Sequence, residues 1–139
     1  MNPMDPADAG WKPRSLDGFI GLVGPLWTRR ENGAWAYGIV AEARHANPAG
    51  IVHGGVLVTL IDHAMSTIAW EAASRRSCVT VQLDARFLAP VHPGKFVEAR
   101  GRVARLTAGL VFMEGSLVVE DDAVLNASAV LRILEQRTG

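Results

Sequence analysis

Apolar residues recur along this chain at two different spacings, and the change between them separates one long helix from a series of strands. Within residues 54–73, Leu57, Leu60, Ile61, Ala64 and Ile68 fall on one face at helical spacing and predict a single long helix with a core-facing stripe. Further on, Val97, Ala99, Gly101 and Val103 alternate with Glu98, Arg100, Arg102 and Ala104, the period-two pattern of a sheet with one wet face. Runs of this kind over residues 78–88, 95–106, 110–119 and 123–134 predict four strands, punctuated by Pro90, Pro93-Gly94, Thr107-Ala108-Gly109 and Glu120-Asp121-Asp122. Ahead of the helix, residues 26–30 and 34–40 read as two strands joined at Asn32-Gly33, a pair suited to the positive φ of a type I′ turn. Ser15 is placed to cap a short helix carrying Leu16, Phe19, Ile20 and Val23, which Gly24-Pro25 ends. Residues 41–52 read as an irregular loop, and residues 1–14, polar and proline-rich, as a mobile arm.

One helix laid across a curved antiparallel sheet is an α+β solution to burying a core. The chain of 139 residues fits a single domain, 1–139. Fourteen basic residues balance fourteen acidic ones. This removes the electrostatic footprint of a nucleic-acid binder and gives no reason to expect an anionic membrane as partner. The most apolar window, 56–70, is broken by Asp62 and His63, so no membrane-spanning helix is expected. Cys78 stands alone, which rules out an internal disulfide. With no apolar leader at the N-terminus, the expectation is a cytoplasmic protein.

The chemistry gathers where loop becomes helix. His53-Gly54-Gly55 opens the helix, where the first backbone N–H groups lack intrahelical acceptors and glycine lets a substrate carbonyl approach closely. That makes an oxyanion hole, although paired glycines also serve a plain tight turn. Asp62 follows Gly55 by seven residues, on nearly the same helix face and roughly 10 Å further along the axis. It cannot reach the glycines of its own helix. The stripe Gly55, Thr59, Asp62, Ser66 and Ala69 is small or polar, so a second copy can approach it and bring its own Asp62 to the glycine entrance. A solvated helix face is the simpler account of that stripe taken alone. In the preceding loop, the Asn47 amide can donate to a carbonyl or hold a water, while Asn-Pro equally marks a turn.

Taken together, His45, Asn47, Gly50, His53-Gly54-Gly55 and Asp62 resemble, in order and spacing, the signature of hotdog-fold acyl-CoA thioesterases of the phenylacetyl-CoA thioesterase-like (PaaI-like) branch. The resemblance extends to the element plan over residues 26–134. It implies that Gly54 supplies the oxyanion N–H and that Asn47 positions the thioester or the water. It implies Asp62 of the facing subunit as general base or nucleophile, Thr80 as holder of the water or the acid, and His53 as a supporting polar residue. The family works as a homodimer with shared active sites, commonly doubled to a homotetramer, and needs no metal or other cofactor. The small apolar residues of the helix suit an aryl- or medium-chain acyl-CoA, with Val58 and Met65 expected in the acyl pocket, Gly55 at the helix entrance and Arg86 against the CoA phosphates. A hotdog hydratase or dehydratase, and a non-catalytic acyl-CoA-binding module, are the alternatives. His45, His53 and His63 lack the spacing of a metal site.

Overall fold

The computed structural model describes residues 5–135. In chain order the elements are β1 (Lys12–Arg14), α1 (Phe19–Val23), β2 (Leu26–Glu31), β3 (Ala34–Val40), α2 (Gly54–Ala72), β4 (Cys78–Phe87), β5 (Phe96–Leu106), β6 (Leu110–Val119) and β7 (Asp122–Ile133). Short 3-10 turns lie at Pro6–Ala9 and Ala43–His45. The strands form one seven-stranded sheet in the order β1-β2-β3-β5-β6-β7-β4, with every pair antiparallel. β4 follows α2 directly in the chain yet lies at the far edge, paired only with β7. Its other edge is unpaired by any described strand.

The sheet wraps α2. Leu57, Leu60, Ile61, Ala64, Met65 and Ala69 of the helix are buried against Val97, Ala99, Val111, Met113, Leu117, Leu125 and Leu131 of the strands. Each such large side chain contributes about 1.5–3 kcal/mol by leaving water. Helix and sheet come close because Gly101 and Gly115 face one another across β5 and β6 beneath the helix. A Cβ on Gly115 would lie 2.9 Å from Ile61 Cδ1 and 3.1 Å from Met65 Sδ. The two glycines form a notch that Ile61 and Met65 fill.

The expected turns form as the residues dictate. Asn32 and Gly33 both take positive φ, at 49° and 83°, between β2 and β3. Glu120 and Asp121 make a second such pair, at 50° and 70°.

Two expectations for the N-terminal part need correction. Residues 5–14 are no free arm: β1 pairs with β2, and Trp11, only 3% exposed, packs edge-on to Phe96 beneath the Arg29 guanidinium. A buried indole outweighs the polar composition around it. Residues 1–4 of that expected arm lie outside the described residues. The short helix begins at Phe19 behind Gly18 rather than Ser15, and buries only Val23. A single turn has too little face to bury more. Its C-terminal carbonyls, Leu22, Val23 and Gly24, are instead capped by the Arg44 guanidinium.

Candidate active site

The loop ahead of α2 is fastened by its own side chains. His45 is 4% exposed and uses both ring nitrogens. Nδ1 accepts the Glu42 N–H at 3.0 Å, which leaves the proton on Nε2 to donate to the Val23 carbonyl at 2.7 Å. Its main-chain carbonyl then accepts the N–H of His53 at 2.8 Å. One buried residue thus ties the end of α1, the 3-10 turn and the helix entrance together. Asn47 Oδ1 accepts from the N–H groups of Ala49 and Ile51, at 2.9 and 3.3 Å, and closes the turn in which Gly50 takes φ +87°. With its oxygen so engaged, the Asn47 side chain presents its NH2 group as a donor.

His53 is the N-cap of α2. Its Nδ1 accepts the Gly55 N–H at 2.9 Å, so the neutral ring carries its proton on Nε2. This separates the roles of the two glycines. The Gly55 N–H is consumed by the cap, whereas that of Gly54 makes no hydrogen bond among the described residues. The Gly55 N–H, expected to touch substrate, is thus already engaged, while that of Gly54 is left open at the positive end of the helix dipole.

Asp62 lies half-buried on the flank of α2 that faces β4. Its Oδ1 accepts a 2.7 Å hydrogen bond from Thr80 Oγ1, and Thr80 Oγ1 lies 3.4 Å from Ser66 Oγ. A carboxylate only accepts, and a hydroxyl has one proton to give. Thr80 therefore donates to Asp62, and Ser66 must donate to Thr80, so the two hydroxyls align in a chain toward the acid. Ser66 was grouped with the small seam residues by sequence. Its spacing of one helical turn from Asp62 was the available signal. Next to Asp62, burial lowers the pKa of His63, against the opposing pull of the Asp62 charge, so its imidazole is held neutral. The His63 ring meets Tyr37 edge-on, and burial pushes the Tyr37 hydroxyl up to about 12.

Thr80 reaches α2 because β4 carries a bulge. The register with β7 shifts between Thr80 and Gln82, leaving Val81 as the extra residue. Without it, strict alternation would put Thr80 and Phe87 on opposite faces; with it, Thr80, Leu83, Ala85 and Phe87 all face the helix side. Arg86 consequently projects from the opposite face and does not join Asp62 and Gly54 within the protomer. Met65, also expected to meet substrate, has no exposed surface and fills the notch above Gly101 and Gly115. Val58 remains half-buried on the Asp62 flank, while Ala69, grouped with the seam, is core. Phe87 was not singled out from sequence. Its ring covers Gly54, with Cε1 and Cζ lying 3.1 and 3.2 Å from where a Gly54 Cβ would sit.

The site is thus in two halves. Asn47, His53 and Gly54 present donors at the start of α2. Asp62, Thr80 and Ser66 present an oriented acid roughly 12 Å along the helix axis. Among the described residues no three His, Cys, Asp or Glu side chains converge on a metal position. Nor is any described helix long and apolar enough to cross a membrane.

A donor-lined helix entrance with a separate carboxylate suits attack on an acyl carbonyl. The family model described as the thioesterase superfamily matches residues 49–126, which contain Gly54, Asp62, Thr80 and Phe87. The chain belongs to the thioesterase superfamily. The proofreading thioesterase EntH of Klebsiella pneumoniae is 30% identical over 104 residues, spanning 74% of this chain and 74% of that protein. Among solved structures, a phenylacetic acid degradation-related protein of Ralstonia eutropha is 25% identical with a TM-score of 0.67, over 94% of this chain and 92% of that one. A Bacillus halodurans protein solved with CoA shares the fold at 22% identity and a TM-score of 0.73, over 79% and 74% of the two chains. The protein is a hotdog-fold thioesterase, and its reaction is thioester hydrolysis.

Proposed function

We propose that this thioesterase hydrolyses an aryl- or medium-chain acyl-CoA in active sites shared between two copies of the chain. The observation that carries the reading is the division of the site between the two ends of β4. Thr80 marks the acid end and Phe87, over Gly54, the donor end. The free edge of β4 carries exposed Val79 and Val81, at 43% and 57%, as a strand awaiting a neighbour does. Antiparallel pairing of two such edges sets the donor end of one copy against the acid end of the other and makes two complete sites by symmetry. The Bacillus halodurans neighbour, solved with CoA, supports the CoA portion of the substrate.

In such a site Gly54 N–H binds the thioester carbonyl oxygen and stabilises the charge it gains. Asn47 Nδ2 holds the carbonyl or the water. Asp62 of the second copy, one oxygen fixed by Thr80, takes a proton from water with the other as the hydroxyl adds to the carbonyl carbon. Collapse breaks the C–S bond, and CoA leaves as thiolate. Attack by the Asp62 carboxylate itself, with water opening the resulting anhydride, is the competing route.

The test is thiol release across a panel of acyl-CoAs, run beside an enoyl-CoA hydration assay. Thiol release at background across the panel would refute the reading. Asp62→Ala and Asn47→Ala subunits, each inactive alone, regain activity on mixing when the two residues act across subunits. No regain despite measured subunit exchange excludes the shared site. Sedimentation of the same samples distinguishes a dimer from the family's common tetramer.

A further inference from the structure

We propose that Phe87 forms the aromatic wall of the acyl pocket and discriminates aryl from straight-chain acyl groups; the assignment rests on the thioesterase site having its carbonyl donor at Gly54. Three observations converge on this residue. Phe87 is the last residue of β4, and the bulge at Val81 with the pairing of Phe87 to Leu125 turns its ring to the helix side. The ring then lies against Gly54, its Cε1 and Cζ in tight contact, at 3.1 and 3.2 Å, with where a Cβ there would sit. A Cβ at position 54 would press on the ring at 3.1 Å and make it give by a few tenths of an ångström, so glycine here lets ring and helix entrance sit close together. Finally, the ring is 56% exposed and the neighbouring Leu88 50%, so the protomer leaves an apolar surface open beside the one unspent N–H of the helix entrance.

A carbonyl oxygen sits about 2.9 Å from the nitrogen that binds it. An acyl group whose oxygen meets Gly54 N–H therefore carries its first carbons alongside the Phe87 ring. An aryl group stacks offset or edge-on against such a ring and gains beyond its buried area, whereas an alkyl chain gains the area alone. The expected preference is about two- to tenfold.

The experiment compares kcat/KM for an arylacetyl-CoA and a straight-chain acyl-CoA of equal carbon count in the wild type, Phe87→Leu and Phe87→Tyr, with sedimentation of each. Phe87→Leu lowers the aryl-to-alkyl ratio two- to tenfold, and Phe87→Tyr, which keeps the ring, holds it near wild type. An unchanged ratio in an active Phe87→Leu overturns the assignment. Equal loss of both substrates together with dissociation also overturns it, making Phe87 a contact between subunits only. Wild-type silence toward both substrates, with thiol released from other acyl-CoAs of the panel, overturns the assignment alone; silence across the whole panel refutes the proposed site, and the assignment with it.

Discussion

Replacing Thr80 by valine preserves the shape of the side chain and deletes the 2.7 Å hydrogen bond that holds Asp62 Oδ1. A hydrogen bond to an ionised carboxylate contributes about 1.5–3 kcal/mol, and the half-buried position of Thr80 favours the lower part of that range. If the bond holds Asp62 in its reactive orientation, losing it costs roughly ten- to thirtyfold in kcat, since about 1.4 kcal/mol is a factor of ten. Thr80 touches the acid rather than the acyl group, so KM should move less than twofold. Steady-state thiol release gives both constants. Thr80→Ser keeps the hydroxyl and should recover most of the loss, a rescue that a packing role for the methyl group would not produce. Wild-type kcat in Thr80→Val, or equal damage in Thr80→Ser, would refute the positioning of Asp62 by this bond.

Three further outcomes follow from the same geometry. Ser66→Ala removes the outer hydroxyl of the chain, whose 3.4 Å contact is long, so kcat should fall only about two- to fivefold, and combined with Thr80→Val it should add almost nothing. Gly115→Ala drives a methyl group against Ile61, Met65 and the Arg100 carbonyl, and should destabilise the fold by about 1–3 kcal/mol in urea titration. On the outer face of the sheet, hydrogen bonding to Arg100 holds the Glu31 carboxyl at about 2, below its ordinary 4.5, so its stabilisation is complete above pH 4.5 and is lost as pH falls toward 2. Glu31→Gln should therefore lose about 1–2 kcal/mol at pH 7, allowing for partial solvent screening, and converge on the wild type by about pH 2 in denaturation curves.

The strand and helix plan was legible because burial here follows the simple periods. Val97, Ala99, Gly101 and Val103 all face the helix as their alternation implied, and the buried stripe of α2 contains Leu57, Leu60, Ile61 and Ala64. What period alone misjudged were residues whose partners are remote in sequence. Trp11 sits in a polar, proline-rich stretch and is buried because Phe96 and Arg29 meet it from elsewhere in the chain. Met65 neighbours the acid face but is drawn inward by the space that Gly101 and Gly115 leave on two other strands.

The site was legible in its parts and not in its wiring. Asp62, Asn47 and the glycine entrance stand out by residue type, and the spacing of Asp62 from Gly55 already implied that one protomer holds them apart. Which side chains of β4 meet them depends on a single extra residue in that strand. Val81 carries no chemistry and matches the strand composition around it, so no residue type announces the bulge. Yet the bulge lets Thr80 reach Asp62 while Phe87, seven positions on, still reaches Gly54. Deleting it would swing one of the two away from the helix side and spoil one half of the site. Bulges are placed by the register of the paired strand, here β7, and register is a property of two segments at once. For the same reason the division of labour between Gly54 and Gly55 becomes visible only when His53 is seen to cap the helix and take one of their two N–H groups. The chemistry of this site is written in residue types, and its geometry in how separate stretches of chain constrain one another.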